Sequence, residues 1–168
     1  MPFRPNQRRH RLARCLLWLA AASAPLPTFA ATATTSFNAT ATVLASCAVS
    51  ATNVAFGNYS TAQLDSTGSI TVTCTNGTTY TVAFDAGTGS GATVAARRMT
   101  GPSSQTLTYS LYHDAPRSSV WGSTVGVDTA AGTGSGSAQV LTVYGRVPAL
   151  QYPQAGSYSD TISVTLAY

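Results

Sequence analysis

Residues 156–168 read "GSYSDTISVTLAY", with Ile162, Val164, Leu166 and Tyr168 at every second position and Ser163, Thr165 and Ala167 between them. A repeat of two places the four large side chains on one face of an extended strand. Such a strand needs a sheet behind it and neighbours along its edges. The sequence ends at Tyr168, which leaves its second neighbour to be found.

The same alternation recurs upstream. It runs through Phe37, Ala39, Ala41, Val43, Ala45, Cys47 and Val49 in 36–49, and through Ile70, Val72 and Cys74 in 69–74. After the hairpin signal Asn76-Gly77 it continues through Tyr80, Val82 and Phe84, and later through Leu107, Tyr109 and Leu111. Residues 54–59 predict a short strand, and the more continuous apolar run 138–147 predicts a strand buried on both faces. The chain contains neither Lys nor Glu and is rich in Thr, Ser, Gly, Ala and Val. That composition favours strands over helices. Short strands separated by turns predict an all-β antiparallel sandwich.

Residues 1–30 predict a secretory signal peptide. Arg4, Arg8, Arg9, Arg11 and Arg14 precede the apolar run "CLLWLAAASA" (15–24), and small residues lead to cleavage after Ala30, with Ala33 as the second choice. The apolar run is shorter than the ~20 residues a membrane span needs. The Arg pair suits a twin-arginine signal poorly, and Cys15 precedes the apolar run, which argues against a lipid anchor. After residue 30 the charges are Arg97, Arg98, Arg117 and Arg146 against Asp65, Asp85, Asp114, Asp128 and Asp160, so 4 − 5 = −1. The basic character of the whole chain therefore belongs to its start, and nucleic acid is not an expected partner. The remaining 168 − 30 = 138 residues amount to one domain.

Cys47 and Cys74 are the cysteines outside the leader. In an exported chain such a pair predicts one disulfide; a metal site or reactive thiol is the alternative, disfavoured by the lack of nearby histidine. No catalytic, cofactor or metal residues are expected. His113 and Asp114 are sequence neighbours, which a strand points to opposite faces, so they are badly placed to pair in a triad. The two "GTGSG" segments (87–91, 132–136) precede no helix and carry no Lys, which excludes a phosphate-binding loop in favour of connections between strands. The aspartates lie near turn-forming stretches. Trp121 suits either sugar stacking or core packing, the second being commoner.

Several stretches together resemble the spore coat protein U domain family, which includes subunits of archaic (Csu-type) chaperone–usher pili. They are "ATVLASCAVSATNVAFGNY" (41–59), "RRM" (97–99), "LTYSLYHD" (107–114), "VWG" (120–122), "YGRVPALQ" (144–151) and the closing "GSYSDTISVTLAY", together spanning about residues 36–168. The resemblance implies an incomplete immunoglobulin-like β-sandwich lacking its final strand, completed by donor-strand exchange. It implies a donor extension at 31–45 and a pilin domain at 46–168. Phe37, Ala39, Ala41 and Val43 would form the donor face, and Ile162, Val164, Leu166 and Tyr168 one wall of the acceptor groove. The implied partners are a periplasmic chaperone, an outer-membrane usher and neighbouring subunits, with the product on the cell surface supporting adhesion and biofilm formation. Two of the four donor positions are Ala, so Phe37 and Val43 would carry most of the apolar contact. The alternatives are a secreted coat-like structural protein and a sugar-binding tip adhesin.

Overall fold

The computed structural model describes residues 28–168. The chain divides into a unit ending at Thr40 and a compact unit Ala41–Tyr168. In the first unit, residues 28–40 carry no helix or strand and are exposed. Most of the expected signal peptide, residues 1–27, lies outside the described residues.

The second unit contains eight strands: β1 (Cys47–Ala51), β2 (Leu64–Cys74), β3 (Thr79–Phe84), β4 (Arg97–Thr100), β5 (Thr106–Tyr112), β6 (Ala130–Thr133), β7 (Ala138–Val147) and β8 (Val164–Ala167). One short 3-10 turn, Pro102–Ser104, joins β4 to β5. The strands form two sheets, β1-β2-β7-β5-β4 and β6-β3-β8, and every ladder between them is antiparallel. The fold is therefore the antiparallel β-sandwich that the period-two patterning predicts.

The core lies between the sheets and is built from the alternating sets. Ile70, Val72 and Cys74 of β2 meet Tyr80, Val82 and Phe84 of β3, with Leu107, Tyr109 and Leu111 of β5 alongside. Trp121 is 1% exposed, stacks on Phe84 at 4.3 Å and donates its indole N–H to the Val82 carbonyl. Its ring faces are thus committed to packing, not available to a sugar. β7 departs from expectation: Val143 and Val147 are buried but Val140 is 64% exposed, so only one face is covered. The outer face of the larger sheet meets solvent, as antiparallel sheets allow.

Cys47 and Cys74 form a disulfide at facing positions of β1 and β2. Arg97 is fully buried without a carboxylate hydrogen-bond partner. Its guanidinium donates to the carbonyls of Asp85, Val94 and Trp121 at 2.7–3.0 Å, tying the end of β3 to the start of β4.

Candidate functional site, an open strand groove

β8 is built on the stretch that the sequence marks most clearly, and among the described strands it pairs with β3 alone. The Asp85 N–H donates to the Ser163 carbonyl, and the register pairs Ala83 with Thr165 and Thr81 with Ala167. In an antiparallel ladder, hydrogen-bonded and non-bonded pairs alternate. Val164 and Leu166 therefore sit opposite Phe84 and Val82 without bonding to them, and their N–H and C=O groups point to the far edge. Their side chains, with Ile162, pack half-buried against the core. Tyr168 shares their parity but is 63% exposed.

The facing wall is the segment 52–59, which the sequence predicts only as a short strand from residue 54. It holds no regular strand. It continues β1 as far as the Thr52 N–H bond to the Ser69 carbonyl, then passes over the inner face of the larger sheet. Two glycines make that passage possible. A Cβ on Gly68 would lie 2.8 Å from Val54 Cγ2, and one on Gly145 would lie 2.7 Å from Phe56 Cζ. Val54 and Phe56 thus occupy space that side chains at 68 and 145 would fill. Phe56 meets Tyr109 edge-on at 5.9 Å, and the Tyr59 hydroxyl donates to the Pro148 carbonyl at 2.8 Å.

Between the two walls runs a trough of about 1170 Å³. Its floor is the inner face of the larger sheet, including Ile70, Leu107, Tyr109, Val143 and Val147. The start of β8 is pinned by Asp160. That carboxylate accepts hydrogen bonds from Tyr109 Oη at 2.8 Å, Thr88 N at 2.8 Å, Thr88 Oγ1 at 2.9 Å and Thr161 N at 2.8 Å. Burial first, and then the bond to Asp160, raises the Tyr109 hydroxyl above its usual range, so Tyr109 remains the donor. Asp85 performs a similar task, accepting from Gly87 N and Ser163 N, both at 3.0 Å. Burial acts to raise its carboxyl, but the Ser163 and Gly87 bonds and the Arg97 charge outweigh it and hold the group below its ordinary value.

Of the residues expected to act, Ile162 and Val164 line the groove; Leu166 packs against the core without lining it, and Tyr168 is exposed. Phe37, Ala39, Ala41 and Val43 lie in no strand and are exposed, Phe37 at 89% and Val43 at 81%. The sequence reading missed the pinning role of Asp160 and Tyr109, whose 51-residue separation gives no local signal. His113 and Asp114 do not pair: the Asp114 carboxylate accepts from Ser118 and Ser119, and His113 lies edge-on to Trp121. Among the described residues there is no cluster of His, Cys, Asp or Glu able to hold a metal ion.

These features define a class: an antiparallel sandwich with an unpaired strand edge above an apolar trough. A family model described as the Spore Coat Protein U domain matches residues 33–165, and the chain belongs to that family. It is 35% identical over 159 residues to Protein U of Myxococcus xanthus, covering 84% of this chain and 88% of that protein. Among solved structures it resembles a chain of the CsuC–CsuE chaperone–tip adhesion subunit pre-assembly complex, from the archaic chaperone–usher Csu pili of Acinetobacter baumannii. The TM-score is 0.57 at 25% identity, over 76% of this chain. This chain spans 40% of that one.

Proposed function

We propose that this chain is a structural subunit of a surface pilus, assembled by donor-strand complementation. The observation that carries this is the outward-facing backbone of Val164 and Leu166, with Val164 lining the trough. An open edge over apolar residues is a template for another strand, and an aggregation hazard until filled. A periplasmic chaperone fills it first, in keeping with the chaperone in the similar Csu complex. At an outer-membrane usher, residues 37–43 of another subunit then replace the chaperone's strand, a known mode of strand addition.

Ile162, Val164, Leu166 and Tyr168 form one wall of the acceptor groove, and Phe37, Ala39, Ala41 and Val43 face into it from the neighbour. Phe37 and Val43 contribute about 1.5–3 kcal/mol each on burial, supplemented by new backbone hydrogen bonds. With the donor leaving one domain and the groove lying on the next, the contact is head-to-tail and builds an open filament. Residues 1–30 act as the export signal, 31–45 as the donor extension and 46–168 as the pilin domain. The filament lies on the cell surface, where it supports adhesion and biofilm formation. The chain is not an enzyme.

The test is a gel of the exported chain run in detergent without boiling. A ladder of multimers that collapses on heating, and that Phe37→Asp abolishes, is expected. Monomer alone from the unsubstituted chain refutes the proposal. A second reading, a secreted coat protein without an usher-built fibre, is favoured by the similarity to Protein U; multimers that Phe37→Asp leaves intact would support it.

A further inference from the structure

Two exposed apolar side chains stand at the Ile162 end of the trough. Leu150 is 74% exposed and Tyr152, which lines the mouth, is 79% exposed. Their backbone is firmly held. The Leu150 N–H donates to the Thr61 carbonyl at 2.8 Å, and the Gln151 side chain bridges the N–H and C=O of Thr108 at 2.8 and 2.9 Å. The Gln151 N–H donates to Tyr59 Oη at 3.0 Å. Leu150 itself has φ of 63°, a left-handed conformation that costs a leucine energy. The fold thus holds a strained leucine where its side chain faces solvent.

The opposite end of the same domain carries a matching feature. Val43 is 81% and Leu44 76% exposed. The Leu44 carbonyl accepts from Thr75 Oγ1 at 3.3 Å, which in turn accepts from Ser46 N at 3.2 Å. Leu44 is therefore fixed to the foot of its own domain, where Cys47 pairs with Cys74 and Ala167 with Thr81. Leu150 belongs to the head, beyond the pairing of Leu64 with Val147.

A strand that continues the sheet beside β8 runs antiparallel to it, as every ladder of this fold does, and so travels from foot to head. The parallel direction would bring the incoming domain out at the foot, where the acceptor's own residues 41–46 leave. The donor face covers 43 − 37 = 6 residue steps and the acceptor wall 168 − 162 = 6, about 20 Å each at ~3.4 Å per residue. With Phe37 beside Tyr168, Val43 emerges beside Ile162, and Leu44 arrives next at the head.

We propose that Leu150 and Tyr152 form a seat for Leu44 of the incoming copy, so that consecutive subunits rest foot on head in a fixed orientation. This rests on the donor-strand proposal above, and its test separates the two. In the full chain expressed for export, Leu150→Ser, at a residue outside the trough lining, keeps the unboiled ladder, but its multimers dissociate roughly tenfold faster on warming. Leu44→Ser has a similar effect, and adding it to Leu150→Ser changes little further. Oxidised Leu44→Cys and Tyr152→Cys chains, mixed, give heat-resistant multimers that a reductant releases. Equal dissociation rates, strictly additive effects, or no cross-link overturn the seat while leaving the ladder and the donor proposal standing. Absence of any ladder in the unsubstituted chain overturns both.

Discussion

Asp160→Ala probes the attachment of β8 to the rest of the sandwich. The substitution removes the acceptor of four hydrogen bonds. The Thr88 and Thr161 donors are at exposed sites where water replaces the lost acceptor, so together they account for about 1 kcal/mol. Tyr109 is different: it is 4% exposed, and its stranded hydroxyl costs a further ~1–3 kcal/mol. The expected loss is about 3 kcal/mol, or roughly a 2 M fall in the urea midpoint for a domain of this size. Tyr109→Phe alone costs about 1–2 kcal/mol, because Asp160 keeps its other donors. In the Tyr109→Phe background, Asp160→Ala then costs only about 1 kcal/mol, since no hydroxyl is stranded. The cycle should therefore show coupling of about 2 kcal/mol. Equilibrium unfolding of the four chains in urea, each also carrying Phe37→Asp so that the proposed strand exchange does not interfere, measures it. Coupling below about 0.5 kcal/mol refutes the claim that the Tyr109–Asp160 bond anchors β8.

Four further outcomes follow from the same structure. Arg97→Lys keeps the charge but loses the fork that reaches three carbonyls, so about 3 kcal/mol and ~10 °C of melting temperature should be lost in a thermal scan. Replacing both Cys47 and Cys74 by Ser opens a loop of 27 residues, and the chain-entropy relation gives a loss of roughly 3–4 kcal/mol in urea unfolding. Asp114 is held at about 2, down from 3.8, first by the Ser118 hydroxyl and then by the N–H groups of Ser119 and Ser118, and Asp85 is also lowered. The native state therefore binds fewer protons than the unfolded chain below about pH 4. Stability is held above that pH and lost as pH falls toward 2, and Asp114→Asn should flatten an acid titration of the unfolding midpoint. Along β8, hydrogen exchange should be fast at the Val164 and Leu166 amides and slow at Thr165 and Ala167 in the monomer, then slow at all four if the proposed donor strand is in place; uniform protection in the monomer would contradict an open edge.

Where alternation is bounded by turn residues, sequence and structure agree closely. β3, β5 and β7 occupy the segments that 79–84, 106–112 and 138–147 mark out. β4 and β6 escape the pattern for two reasons. β4 carries the buried Arg97, whose charge reads as a surface residue until its carbonyl partners are known. β6 is Ala-Ala-Gly-Thr, with side chains too small to announce a buried face. The alternation through Phe37 to Val43 yields no strand up to Cys47. Period two records which face is apolar, but a strand also needs a neighbour to bond to, and that information is not local. The same limit hid the second wall of the groove. Val54 and Phe56 have the right spacing, yet their position depends on Gly68 and Gly145, both distant in sequence.

The contrast between β3 and β8 locates the incompleteness physically. Phe84 and Val82 of β3 are 2% and 0% exposed, while Val164 and Leu166, their direct cross-strand partners on the same inner face, remain half-buried. Side-chain type does not account for the difference, since all four are large and apolar. Neighbours do. β3 lies between β6 and β8, whereas β8 has a strand on one side and the trough on the other. Val54 and Phe56 on the opposite wall are half-buried for the same reason. Three of the four half-buried side chains, Val54, Phe56 and Val164, line the trough, and the proposed donor strand would bury them against a scaffold that the hydrogen bonds of Asp160, Asp85 and Arg97 already order.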